Sequence, residues 1–271
     1  MTKKLIYLLV FAFGFAFVSC DKYNDIERDS GVTVNTVSTK WEILDNNSLY
    51  TSFEFNKDGN YIVVKNNGER LRSLITNSKN SLFKNNSLRA ASTSSSNLSP
   101  IHFGTYQIDG NKIILSDFGI IEVISITAEE FSFTLETTGK TNSFVAKKSS
   151  QQISSSNKTE MFCRTWVIQK ITDESGKEDE YWRESDIIGS IVLFSKAGTY
   201  LVLYGGEGGD AGISKWKWAN KEETKIYSWN KWKDDWEEEN FVTINQLNDN
   251  TLVLQEVIDD EVMVYHLTIK K

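Results

Sequence analysis

Phe55-Asn56-Lys57-Asp58-Gly59-Asn60-Tyr61 decides the reading, because its frame returns as Phe194-Ser195-Lys196-Ala197-Gly198-Thr199-Tyr200. Phe, Lys, Gly and Tyr keep their places in both copies, and apolar runs flank each one. A glycine between such runs takes the positive φ of a tight turn without the steric cost that other residues meet. Each stretch therefore predicts a β-hairpin, and the pair predicts an internal duplication.

The duplication extends in both directions. Upstream, Thr39-Lys40-Trp41-Glu42-Ile43 answers Thr165-Trp166-Val167-Ile168. Downstream, Ile126-Thr127-Ala128-Glu129-Glu130-Phe131-Ser132-Phe133 aligns with Leu247-Asn248-Asp249-Asn250-Thr251-Leu252-Val253-Leu254. Each copy is read as closing on paired lysines, Lys147-Lys148 and Lys270-Lys271. A further hairpin is marked by Ile108-Asp109-Gly110-Asn111-Lys112-Ile113, since Asp-Gly suits a two-residue loop. Each copy offers about eight short strands rich in Val, Ile, Thr and aromatic residues, and no long amphipathic helix. That number allows an up-and-down barrel, filled or holding one small ligand, and a sandwich would show the same spacing.

Units that begin at Thr-x-Trp or Thr-Trp and continue Phe-x-x-x-Gly-x-Tyr resemble the lipocalin-like domains of Bacteroidota-type lipoproteins. The resemblance covers residues 38–149 and 161–271. It implies an all-β fold of two tandem lipocalin-like up-and-down β-barrels and a place in the cell envelope. Thr39 and Arg164 stand where the lipocalin Gly-x-Trp signature has glycine, which argues against an ordinary lipocalin ligand cavity.

Residues 1–19 read as a secretion leader. Lys3 and Lys4 supply the positive start, Leu5 to Val18 run apolar, and the run is too short to span a bilayer. Phe17-Val18-Ser19-Cys20 resembles the lipobox of bacterial lipoproteins. The resemblance implies a diacylglyceryl group on Cys20, cleavage before it and acylation, with palmitate for example, of the new amine. Several chains anchor stably where one holds only reversibly. Residues 20–37 then form the lipidated tether, so the membrane is reached through the lipid and not through a spanning helix, and the outer membrane is the expected location.

Composition limits the rest. Without Lys3 and Lys4, the 30 basic and 37 acidic residues leave a balance of about −9, which argues against nucleic acid as a partner. Aromatic content of 12% with a single Pro predicts a folded chain. Of the 2 Cys, an acylated Cys20 would leave Cys163 without a partner, so no internal disulfide is expected. Cys163 reads as a small packing residue.

The copies differ by insertion. Tyr61 to Tyr106 is 45 positions, whereas Tyr200 to Trp216 is 16. The excess is the Ser/Asn-rich stretch 72–100, which offers too little apolar surface to offset its ordering entropy and reads as a mobile loop. Residues 150–160 have a similar composition and read as the linker. Copy two adds acidic residues around Gly176, with Trp182 nearby, and the run Trp229-Asn230-Lys231-Trp232-Lys233-Asp234-Asp235-Trp236. Inserted loops on a rigid scaffold are common binding places.

Candidate binding residues are therefore Trp229, Trp232 and Trp236, as an aromatic platform for a glycan or a small amphipathic ligand. Trp216 and Trp218, alternating with Lys215 and Lys217, belong to the same candidate set but also suit strand packing. The acidic runs lack the spacing of a calcium loop. Gly206 opens a formal Gly-x-Gly-x-x-Ala, but Ile213 to Trp216 reads as strand where a dinucleotide site needs a helix. His102 and His266 accompany no Ser-His-Asp or metal spacing. The expectation is a non-catalytic envelope lipoprotein without cofactor or metal, binding a small amphipathic ligand or a glycan. The alternative is an accessory subunit docked to an envelope protein partner, and a hydrolase comes third because no nucleophile–base pair is visible.

Overall fold

The computed structural model describes residues 31–66, 101–178, 187–205, 211–230, 235–236, 238, 241–258 and 260–271. Cys20, the stretch 72–100, Trp182 and Trp232 lie outside the described residues. The described residues belong to one compact unit.

Two rings of antiparallel strands account for most of it. In barrel 1, β1 (Lys40–Ile43), β2 (Tyr50–Phe55), β3 (Asn60–Lys65), β4 (Ile101–Asp109), β5 (Lys112–Leu115), β6 (Gly119–Ile126), β7 (Glu130–Thr137) and β8 (Lys140–Lys148) pair in sequence order. Closure comes from β1 against β8, with Trp41 opposite Lys148. Barrel 2 uses β9 (Thr165–Thr172), β10 (Ile191–Phe194), β11 (Thr199–Leu203), β12 (Ala211–Trp218), β13 (Lys225–Asn230), β15 (Val242–Leu247), β16 (Thr251–Ile258) and β17 (Glu261–Ile269). It closes where β9 meets β17 and β12 meets β13. The two-residue β14 (Asp235–Trp236) stands outside the ring and pairs with β13. The expected all-β fold of two tandem up-and-down barrels is the fold observed, and closure excludes a sandwich.

The duplication is deeper than its sequence landmarks. A short helix, α1 (Val34–Val37) or α2 (Asn157–Phe162), precedes each barrel, N-capped by Thr33 or Ser156. Trp41 Nε1 donates to Val37 O, and Trp166 Nε1 donates to Phe162 O, both at 3.0 Å. Each indole thus ties its barrel to the helix beneath it. Gly59 (φ +84°) and Gly198 (φ +72°) take the left-handed turn that the sequence predicted. Their carbonyls accept from Tyr106 N at 2.8 Å and Trp216 N at 2.9 Å. The same two side chains reach back: Tyr106 Oη donates to Asn56 O and Trp216 Nε1 donates to Ser195 O, both at 3.0 Å. The β6–β7 and β15–β16 turns match as well, with Thr127 N donating to Glu130 O and Asn248 N to Thr251 O.

Three local readings change. The Asp-Gly hairpin exists, but Asp109 pairs with Lys112, so Gly110-Asn111 is the loop. The paired lysines are not equivalent: Ser149 N donates to Lys40 O where Lys270 N donates to Thr165 O, which sets Lys270 against Ser149. The linker is fastened at several points. Gln152 Nε2 donates to Thr39 Oγ1 (3.1 Å) and Ile153 N to Lys196 O (2.7 Å), and the chain then enters α2.

Inward positions are filled by large side chains. Barrel 1 holds Trp41, Phe53, Phe55, Tyr61, Phe131 and Phe133, with Phe131–Phe133 ring centroids at 4.5 Å. Barrel 2 holds Phe162, Trp166, Phe194, Tyr200, Trp216 and Tyr265, with Phe162–Phe194 at 4.3 Å. An eight-stranded barrel is just wide enough for side chains to fill.

Candidate functional site

A third apolar cluster lies outside both barrels and joins them. Ile62 and Ile101 of barrel 1 are buried with Ile191, Leu193, Leu201 and Leu203 of barrel 2. These residues point away from the barrel interiors, because their strand neighbours Val63, Val192 and Val202 belong to the inner clusters. Full burial of one such side chain contributes about 1.5–3 kcal/mol relative to exposure. Polar bonds rim the seam. Asn60 Nδ2 donates to Thr165 Oγ1 at 3.0 Å, and that hydroxyl donates to Asp58 Oδ2 at 2.7 Å. Thr199 Oγ1 donates to Glu54 Oε2 at 2.6 Å.

Beside this seam a cleft of about 380 Å³ opens, lined among others by Lys57, Asp58, Glu160, Arg164, Lys270 and Lys271. Its charged groups are largely engaged in holding the structure: Arg164 Nη1 donates to Asp249 O at 3.0 Å, Glu160 pairs with Lys196, and Asp58 serves the seam. A smaller cavity of about 30 Å³ shares Lys57, Glu160 and Cys163 with it and is also lined by Glu54 and Asn56. That is room for a water, which could serve the second Glu54 oxygen and the Asn56 amide.

The candidate tryptophans separate into two environments. Trp216 is fully buried, and Trp218 packs edge-on against it at 5.2 Å and donates Nε1 to Thr159 Oγ1 at 3.0 Å. Both lie on the inner face of β12, so they serve the barrel. Trp229 and Trp236 face outward as direct partners across β13 and β14, edge to face at 5.2 Å. Lys215 Nζ lies 5.1 Å from the Trp229 ring centroid, and Lys217 Nζ lies 4.4 Å from that of Trp236. With Lys217 also over Tyr227 at 5.4 Å, the outer face of β12–β13–β14 is a ladder of alternating ammonium groups and rings. Each such contact contributes about 0.5–1 kcal/mol at an exposed site.

No family model matches the chain, and no curated protein matches it. The tandem of closed eight-stranded barrels fits a lipocalin-like double barrel.

The titratable groups with shifted equilibria have structural explanations. Burial pushes the Cys163 thiol well up, which favours its protonated form. Burial, helped by Lys65, pulls His102 down to about 4, and its ring sits 4.6 Å from that of Phe118. His266 is lowered by burial and then by Lys170, and its Nε2 lies 3.2 Å from Thr172 Oγ1. The acidic turn after β9 is closed on itself, with Ser175 Oγ and Lys177 N donating to Asp173 Oδ1. Among the described residues no three His, Cys, Asp or Glu side chains converge as a metal site. No described helix is long and apolar enough to cross a membrane.

The seam was missed at the sequence level, although it leaves a signal there. Ile191-Val192-Leu193-Phe194 and Tyr200-Leu201-Val202-Leu203 are apolar at every position, where a strand with one wet face alternates. Both faces of β10 and β11 are in fact buried.

Proposed function

We propose that this protein is a non-catalytic lipoprotein of a bacterial cell envelope, tethered through acylated Cys20, that works by docking with its outer surfaces. The observation that carries this reading is the occupation of both barrel interiors by aromatic side chains. A small amphipathic ligand inside a barrel would have to displace them. Rings and ammonium groups on the outside of β12–β13–β14 instead provide a face for an envelope protein partner. The accessory-subunit role therefore stands ahead of internal ligand binding. A glycan remains the second reading, supported by the outward pair Trp229 and Trp236.

The test is cross-linking in intact envelopes, followed by purification of the lipidated protein and mass spectrometry. One recurring protein cross-linked to the β12–β13–β14 face is expected. A stoichiometric apolar molecule extracted from the folded protein, with no protein cross-link, would overturn the docking reading. The anchor is checked separately: Cys20→Ala should abolish lipid labelling.

A further inference from the structure

The seam between the barrels is built from equivalent positions of the two copies. The shared hairpin sets Phe55 against Phe194 and Tyr61 against Tyr200, and strand pairing carries that register outward. Ile62 then corresponds to Leu201, and Val64 to Leu203. On the next strand, Phe103 lies opposite Ile62 as Ile213 lies opposite Leu201. Ile101 lies opposite Val64 as Ala211 lies opposite Leu203. All eight of these residues belong to the seam cluster. The same outer face of each barrel has therefore met its counterpart, which is the geometry of a two-fold, self-complementary interface.

The two faces are not equally apolar. Where barrel 2 contributes Ile191 and Leu193, barrel 1 has Ser52 and Glu54. Glu54 finds its hydrogen bond on Thr199 of barrel 2, and Asp58 and Asn60 find theirs on Thr165. Against another barrel 1, Glu54 would lose Thr199 and gain Asn60 at that equivalent position, with a second buried carboxylate close by. Like charges placed together in a dry interface discriminate against that pairing. Another barrel 2 would meet Leu193, Leu201 and Leu203 with an equally apolar face.

We propose that the seam is a self-complementary pairing face, and that barrel 2, once its face is uncovered, takes the barrel 2 of a second chain as its partner. Barrel 1 does not pair with itself. The polar residues of barrel 1 keep the pairing within one chain, so the intact protein stays monomeric at this face.

The experiment uses residues 21–271, without leader or anchor, and two single substitutions at equivalent positions. Ile62→Asp spoils the barrel 1 face and leaves that of barrel 2 intact; Leu201→Asp does the reverse. Light scattering should give a doubled mass for the Ile62→Asp chain and the monomer mass for the Leu201→Asp chain. The double variant should be monomeric. A monomeric Ile62→Asp chain would overturn the proposal, whether the seam stayed shut or the freed face failed to pair. Dimers of equal strength from both single variants would overturn the asymmetry. A third variant sharpens it: adding Ser52→Ile and Glu54→Leu to the Leu201→Asp chain should create a dimer through barrel 1, and continued monomer would count against the assigned role of Glu54.

Discussion

Barrel 1 places Leu135 and Phe144 inside, where barrel 2 places Glu256 and Tyr265, joined by a 2.6 Å hydrogen bond from the phenol to the carboxylate. On the outside the bias reverses, with Ser52 and Glu54 in barrel 1 against Ile191 and Leu193 in barrel 2. The rim does not vary. Both barrels keep the tryptophan bonded to its helix, the left-handed glycine, and the aromatic that donates back to the turn before that glycine. The frame is thus held by a few backbone-directed bonds at one end, and the faces are free to change as long as volume and polar pairing are kept.

The most damaging way to probe that equivalence is to remove the rim tryptophans. Trp41→Ala and Trp166→Ala each empty a fully buried site and remove one of the two hydrogen bonds that the Val37 or Phe162 carbonyl accepts, so each should cost about 3–5 kcal/mol in denaturant unfolding. Losses differing by more than about 2 kcal/mol would show that the two frames are not equivalent.

Exchange across the seam comes next. Leu193→Glu would put a second carboxylate into a buried apolar face and should cost about 3 kcal/mol. Glu54→Leu leaves the Thr199 hydroxyl unpaired but removes a buried charge, so its midpoint should move by no more than about 1 kcal/mol. Equal effects of the two changes would erase the contrast between the faces.

His102 distinguishes the barrels by pH, since glycine (Gly212) occupies its place in barrel 2. Burial first, and then Lys65, hold the folded-state pKa near 4, below the ordinary 6.5. The unfolded chain therefore binds a proton that the folded chain refuses, and stability falls as pH drops from 6.5 towards 4. Comparing unfolding of the parent and His102→Phe at pH 7 and pH 5 isolates this contribution; the variant should lose less on acidification.

The smallest effect is expected on the outer face. Trp229→Ala and Trp236→Ala remove half-buried cation–ring contacts on the outer face and should each cost about 1 kcal/mol, whereas Trp216→Ala on the inner face should cost about 3–5 kcal/mol. If the outer pair proved as costly as Trp216, it would belong to the core and not to a docking face.

Which tryptophans lie inside was only half legible. Trp216 and Trp218 alternate with lysines, so their shared face followed from strand period. Trp229 sits on the opposite face of its strand from Ile226, a relation that period two also carries, but its partner Trp236 is reached only through the β13–β14 pairing. Of the cleft residues, Arg164 and Lys270 meet because β17 closes on β9, and Lys57 joins them only because the barrels pack.

By itself the sequence determined the strand period, the turns at Gly59 and Gly198 and the duplication, because φ preference and the alternation of apolar residues are local properties. Barrel closure, the joining of the two barrels and the mates of Glu54 and Thr165 were decided by tertiary structure alone. Pairing of β1 with β8, or of Thr199 with Glu54, depends on which distant surfaces can bury each other, and no spacing along the chain encodes that.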